Sequence, residues 1–358
     1  MNQLDDLKQI KKIDTKLVLE SIELLEDQLR QSWQEIRNFK IPAGLSQVKQ
    51  IVFSGMGGSA LAGDIVRSLF FKNLKIPFSI VNGYHLPGTV NEQTLYLISS
   101  YSGDTEEPLA TISQAHKRKA KIFAITSGGK LRTLIKSQQV SGYIFQPIFN
   151  PSRQPRLGVG YTFGTLLAIL AKLKLIPLTE NEFNLALKKL KAWQCDFGVS
   201  QLVNKNQTKK LALALRERLP VIIASEFLAG NAHVFANQLN ENAKTFANYF
   251  ILPELNHHLL EGLILPKTNR QNFLFILLES ELYFKKNQRR FQITKEILAR
   301  NKIKFFSYQF VGTNSLEQIL EGLSLSGYVS FYLAILNQIN PASIPYVDFF
   351  KAKLKKLS

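Results

Sequence analysis

Cysteine is almost absent: Cys195 stands alone among 358 residues. No intrachain disulfide can form, and no cysteine-based metal cluster can be built. This fits a reducing compartment, and a cytoplasmic location is expected. Acidic residues are scarce as well, 27 against 45 Lys and Arg, which leaves a formal charge of +18. Residues 1–150 hold 18 basic and 13 acidic residues, the remainder 27 and 14. Such a surplus raises three partner classes: nucleic acid, an anionic membrane surface, or small anionic substrates.

Long apolar runs are few. Residues 1–12 alternate acids and bases and carry no apolar core of a secretory signal. Two stretches lack charge, 157–171 and 322–347. The first is too short to span about 30 Å as a helix. The second is interrupted by Ser324, Ser326, Ser330, Asn337, Gln338, Asn340 and Pro341, so a buried helix of a soluble domain is the better reading. Also missing are the Gly-x-Gly-x-x-Gly spacing of dinucleotide folds and the Gly-Lys-Ser/Thr ending of a P-loop.

What is present is a rhythm. Apolar residues at helical spacing predict one amphipathic helix over 15–39. Strand-like runs at 50–54, 75–82, 94–100, 121–126 and 143–147 alternate with helical spacing at 61–71 and 106–118. Helices are expected at 162–175 and 180–193. The alternation then resumes, with strands at 220–224, 246–251, 273–278 and 304–309, helices at 231–244 and 284–301, and more helix from 315. This is an α/β chain, each half a mostly parallel sheet flanked by helices. A proline-bearing linker at 150–155 suggests three parts: an N-terminal helical segment 1–44, a first unit 45–152 and a second unit 153–358.

Three small polar loops follow successive strands. Gly55-Met56-Gly57-Gly58-Ser59 offers close backbone approach and a following helix N-terminus, an anion site that needs no lysine. The plain alternative is a tight strand–helix turn. Ser99, Ser100, Ser102 and Thr105 place four hydroxyls in the next loop. One helix cap would explain one hydroxyl, not four. Thr126-Ser127-Gly128-Gly129-Lys130 is the third. Loops at successive strand C-termini line the crevice of an open α/β sheet.

These three loops resemble a sugar isomerase (SIS) domain. With Pro155-Arg156, Asn240-Glu241-Asn242-Ala243-Lys244, Glu254-Leu255-Asn256-His257 and Lys351, the chain resembles the bifunctional phosphoglucose/phosphomannose isomerase family over nearly its full length. The resemblance implies two SIS-type subdomains and interconversion of glucose 6-phosphate or mannose 6-phosphate with fructose 6-phosphate. It implies no cofactor or metal, and a homodimer with a shared active site. Gly57, Gly58, Ser59, Ser100, Ser102 and Thr105 would hold the phosphate. Glu241 would be the base, Arg156 would stabilise the enediolate, and Lys351 would assist at the ring oxygen or a hydroxyl. His257 would open the ring, supplied by the neighbouring subunit.

The chemistry suits these groups. A carboxylate can move a carbon-bound proton if burial lifts its pKa, and Glu241 ends an amide-rich helix with few charges nearby. Its bland alternative is a surface acid paired with Lys244. Histidine is the natural shuttle near neutral pH, although His257 and His258 are adjacent and cannot both serve one point from an extended segment. A permanently charged arginine suits an anionic intermediate. Three positions depart from the family pattern: Asp104 and His258, where Asn is usual, and Asn340-Pro341, where Asp-Pro is usual. A carboxylate at 104 would repel a phosphate unless it turned away.

Two other classes compete. A non-catalytic SIS-type sensor would keep the phosphate loops, but usually adds a DNA-binding helix-turn-helix, and 1–45 promises only one long helix. A nucleic-acid binder would use residues 285–304, with eight basic residues and one acid. Phe291, Ile293, Ile297 and Leu298 give that stretch an apolar face, so a solvated amphipathic helix explains it better. A membrane partner is not expected.

Overall fold

The computed structural model describes residues 2–42 and 44–356. Three helices open the chain: α1 (Leu7–Ile13), α2 (Val18–Glu23) and α3 (Leu25–Asn38). The single helix expected over 15–39 is therefore two, parted at Leu24 (φ −88, ψ 13), with another before them. Asp14 marks the break between α1 and α2. Its carboxylate accepts from the Val18 and Leu19 amides, both at 2.9 Å, while Leu17 adopts φ +56. A left-handed residue with a Cβ ends regular helix, and the Asp14 oxygens satisfy the first donors of the next one. Leu4, Ile10, Val18, Ile22, Leu25, Leu29, Trp33 and Ile36 are all buried in the main core. These helices are built into the fold rather than appended to it.

The first unit contains β1 (Gln50–Ser54), α4 (Leu61–Leu69), β2 (Phe78–Val81), β3 (Thr94–Ser100), α5 (Glu106–Lys117), β4 (Lys121–Thr126), α6 (Gly129–Lys136) and β5 (Ser141–Ile144). Its five strands are all parallel, in the order β2-β1-β3-β4-β5. The period of two sorts each strand between two cores. Ile51, Phe53, Leu95, Leu97, Phe123 and Ile125 face the main core. Val52, Tyr96, Ile98, Ile122 and Ala124 face a second cluster with Ile112 and Ala115 of α5 and Leu131 of α6. Both faces are thus covered, as a parallel sheet requires.

Three helices connect the units: α7 (Val159–Lys172), α8 (Glu180–Phe197) and α9 (Gln207–Leu215). α7 packs along α3 and α4. The second unit runs β6 (Leu219–Ser225), α10 (Ala229–Asn242), β7 (Asn248–Leu252), α11 (Asn269–Asn272), β8 (Phe273–Glu279), α12 (Lys285–Arg300), β9 (Lys304–Gln309), α13 (Ser315–Leu336) and α14 (Pro345–Leu354). Its sheet, β7-β6-β8-β9, is also parallel and repeats the first four positions of the other. α13 is long and apolar enough to cross a membrane, yet it is wholly buried among α8, α9 and α10. The charge-free stretch is a core helix. α14 is different: none of its residues is buried.

Candidate active site at the first switch point

In each sheet the strand order reverses between the first strand and its third-strand neighbour, the point at which open α/β folds bind ligands. In the first sheet that point lies between β1 and β3. The glycine loop follows β1 as a 3-10 turn, Gly57–Ser59, with Gly57 at φ +49. Gly58 is needed for a different reason. A Cβ there would lie 2.6 Å from the Arg156 amide nitrogen and 2.8 Å from its Cα. The loop therefore sits directly on the backbone of the Pro155–Leu157 turn.

Ser59 joins the two loops, its Oγ accepting from the Tyr101 amide at 3.0 Å. In the second loop Ser100 and Thr105 hydroxyls meet at 2.8 Å, and Ser100 Oγ accepts from the Gly103 amide at 3.0 Å. Ser102 Oγ accepts from the Asp104 amide at 3.3 Å. Thr105 holds the N-cap position of α5 but makes no capping hydrogen bond. The simple cap alternative is thereby set aside: the first α5 amides have no side-chain acceptor from the cap residue. One of the four expected hydroxyls does not belong. Ser99 is buried and meets Thr162 on α7 at 3.3 Å.

Asp104 is turned toward the third loop. Its Oδ1 accepts from the Lys130 amide at 2.9 Å, in the first turn of α6. The third loop is thereby committed to structure, with its helix N-terminus already holding a carboxylate. Gly129, at φ +62, leaves the space, since a Cβ there would meet Asp104 Oδ2 at 2.6 Å.

Arg156 lies fully buried at the floor of this region, between the two units. Its Nε donates to Asn242 Oδ1. Nη1 donates to Gln154 Oε1 at 2.9 Å and to Glu241 Oε2 at 3.2 Å. Nη2 donates to the carbonyls of Pro341 at 2.8 Å and Ala342 at 3.1 Å. All five guanidinium hydrogens have acceptors. Burial pushes the guanidinium's pKa down, and Glu241 pulls it back up. Glu241 sits at the end of α10, with its side chain 30% exposed. The carboxylate is thus partly desolvated and held in an ion pair with Arg156. Its neighbour Asn242 is buried and donates to Ser330 on α13 at 3.0 Å.

The other two sequence candidates stay apart. His257 ends the 3-10 turn Glu254–His257, is exposed, and its side chain has no hydrogen-bond or ion-pair partner among the described residues. His258 does have one: its Nε2 lies 2.7 Å from Glu254 Oε2. The two histidines therefore differ, and His257 is the unengaged one. Asn256 anchors the turn to α12 through Thr294 (3.1 Å) and Arg290 (3.2 Å). Lys351 lies on the exposed α14 and makes no ion pair with Glu241. Among the described residues no group of three or more His, Cys, Asp or Glu is placed to hold a metal ion.

The second switch point, between β6 and β8, is filled from within. The loop after β6 repeats the 3-10 turn, as Glu226–Leu228, with Glu226 at φ +46 where the first unit has Gly57. Glu226 Oε1 accepts from the Phe284 amide at 2.7 Å and from Asn287 at 2.9 Å, at the start of α12. A carboxylate already occupies the place that an anion would take.

Sequence reasoning missed Gln154, the role of Asn242, and the carbonyls of Pro341 and Ala342. Only Asn242 left a signal, as an amide beside the candidate base.

Residues 44–132 match the SIS domain family, and residues 204–354 match the bacterial phospho-glucose isomerase C-terminal SIS domain family. A bifunctional phosphoglucose/phosphomannose isomerase of Caldicellulosiruptor bescii is 31% identical over 95% of this chain and 99% of the relative. A D-glucosamine-6-phosphate 4-epimerase of Sulfolobus acidocaldarius is 28% identical over 61% of this chain and 65% of its own. The crystal structure of a hypothetical protein of Thermus thermophilus superposes with a TM-score of 0.76 at 16% identity, over 98% of this chain and 93% of that one, a likeness of fold. With near-complete coverage at this identity, and both SIS units in place, the chain belongs to the bifunctional phosphoglucose/phosphomannose isomerase family.

Proposed function

We propose that this chain, a SIS-type sugar-phosphate isomerase or epimerase by family, interconverts glucose 6-phosphate, mannose 6-phosphate or both with fructose 6-phosphate. The observation that carries the reading is the Arg156–Glu241 pair, 3.2 Å apart and seated on Gly58 of the glycine loop. A phosphate held by Gly57, Gly58, Ser59, Ser100, Ser102 and Thr105 would place the sugar's other end toward that pair.

Glu241 takes the proton from C2 of the open-chain aldose. The electron pair left on C2 forms the C1=C2 bond, and O1 carries the negative charge. Arg156 lies beside the carboxylate and stabilises this enediolate. The proton then returns to C1, the O2 proton passes to O1, and C2=O forms. Nothing is gained or lost overall. The Nη1 bond to Glu241 is the one the guanidinium can exchange for a substrate oxygen, because its other acceptors belong to the fold.

His257 acts on the ring from the neighbouring subunit of a homodimer. Its exposure and lack of hydrogen-bond or ion-pair partners among the described residues support that assignment. So do the exposed apolar side chains of Phe71, Phe246, Leu265 and, on α14, Tyr346 and Phe350, which a second copy would cover. Lys351, on the same helix, would reach the sugar only once that helix is seated. The division at residue 152, with 153–358 as the second unit and its connecting helices, puts Arg156 at the start of that unit.

One observation favours the non-catalytic sensor instead: every Arg156 donor is already used within the chain. A coupled assay with glucose 6-phosphate and mannose 6-phosphate separates the two readings. Turnover supports the isomerase. Binding of the sugar phosphates without turnover supports the sensor.

A further inference from the structure

A second cation, unused in the proposed reaction, stands at the end of α10. Lys244 follows the helix cap at φ +52, an uncommon conformation for a residue with a Cβ. Its ammonium donates to three backbone carbonyls: Asn340 at 2.8 Å, Asn242 at 3.1 Å and Pro341 at 3.3 Å. An ammonium has three hydrogens, and all are engaged. The Pro341 carbonyl is also an acceptor of Arg156 Nη2, at 2.8 Å, with the Ala342 carbonyl beside it at 3.1 Å. Two cations thus share one carbonyl on one short segment.

Within that segment Pro341 and Ala342 are buried, Ala342 against the main core. Asn340 folds it, with Oδ1 accepting from the Ala342 amide at 2.9 Å and Nδ2 donating to Thr15 at 2.8 Å. Beyond it begins α14, which buries no residue. Besides that packing, the polar contacts that orient the carbonyls along one edge of the Arg156 guanidinium come from the Lys244 ammonium and the Asn340 side chain.

We propose that Lys244 is a positioning residue for the Arg156–Glu241 pair, tethering the 340–342 carbonyls so that Arg156 keeps its Nη2 edge fixed and its Nη1 edge toward Glu241. This deepens the isomerase reading and rests on it. A guanidinium rigid on one edge can give up one bond to Glu241 for a substrate oxygen without swinging away. Displacements of about 1 Å in such groups cost on the order of a hundredfold in rate. The phosphate loops do not touch Lys244, so binding should be spared.

The test uses the full-length protein as Lys244→Met and Lys244→Arg, which keep the same backbone strain. Lys244→Met should lower kcat by about 10- to 100-fold with KM for the sugar phosphate within about threefold, the signature of an interaction needed only in the transition state. Lys244→Arg should recover at least half of that loss on a logarithmic scale. Amide hydrogen exchange over 342–348 should accelerate in Lys244→Met by about fivefold or more, with 99–105 unchanged. A kcat within about twofold of wild type, a rise in KM alone, or unchanged exchange would each overturn the proposal. A wild type that turns over no hexose 6-phosphate would defeat the isomerase reading, while the exchange measurement would still support or overturn the tether.

Discussion

The Cα of Gly58 faces the backbone of Arg156 so closely that a single methyl group would lie 2.6 Å from the Arg156 amide. The glycine loop of the first unit and the arginine that precedes the connecting helices are therefore one piece. A residue choice that reads in sequence as ligand approach is also a packing requirement between two segments almost a hundred positions apart.

This separates two neighbouring glycines. Gly57 has open space around its Cα and pays only for φ +49, whereas Gly58 meets backbone that cannot yield. Gly57→Ala should cost about 1–2 kcal/mol, the strain of a left-handed residue. Gly58→Ala should add about 1–3 kcal/mol of overpacking and displace Arg156, lowering kcat as well. Urea unfolding beside steady-state kinetics checks both. Equal behaviour of the two variants would contradict the contact.

Arg156 should not tolerate lysine. A lysine offers three hydrogens to acceptors that now receive five, and it lacks the planar fork. Asn242 Oδ1 or the Pro341 and Ala342 carbonyls would be left under-bonded, at about 1–3 kcal/mol. Arg156→Lys is expected to lower the melting temperature and to reduce kcat by about a hundredfold or more. A variant with normal stability and turnover would mean that the bonding pattern is incidental.

Much of this was legible in the sequence, and the failures have physical causes. Parallel strands buried on both faces read as apolar runs, so the alternation of the two sheets showed clearly. The helix break at Leu24 does not show, because apolar spacing continues through it; nor does the start of α2, because the Asp14 cap acts on amides four and five residues away. A string of hydroxyls does not say which face each takes, so Ser99 reads with the second loop. Its alternation on β3 sends it to α7. Asp104 reads as repulsive in sequence because its partner, the Lys130 amide, lies 26 positions away. The carbonyls around Arg156 carry no side-chain signature at all.

Lys244 gives a pH prediction. Partial desolvation of its ammonium and the nearby Arg156 charge push it down to about 8, against the opposing pull of Glu241. Much of the residue remains in solvent, so the effect on stability is modest. The sign follows from linkage. Between about pH 8 and the ordinary lysine value near 10.5, the unfolded chain holds the proton and the folded one has lost it. Stability contributed by this group therefore rises across that window. Wild type should gain on Lys244→Met in melting temperature between about pH 7.5 and about 10. A constant difference would contradict the perturbed environment.

A shared active site can be tested by mixing. Glu241→Gln and His257→Ala variants should each be nearly inactive. If His257 serves the neighbouring subunit, a mixed dimer has one site with both groups intact. Random exchange of equal amounts should then restore about a quarter of wild-type activity, by the symmetry of the dimer. No recovery, together with a monomeric mass in light scattering, would contradict the dimer.

The most direct measurement of the central claim is turnover of glucose 6-phosphate and mannose 6-phosphate by wild type and Glu241→Gln, with sugar-phosphate binding followed in parallel. The amide keeps the shape of the side chain and can still accept from Arg156, but it cannot take a proton from carbon. The account predicts loss of about 10²- to 10⁴-fold in kcat, as expected for removing a general base, with binding retained. Equal turnover in the two proteins would contradict it.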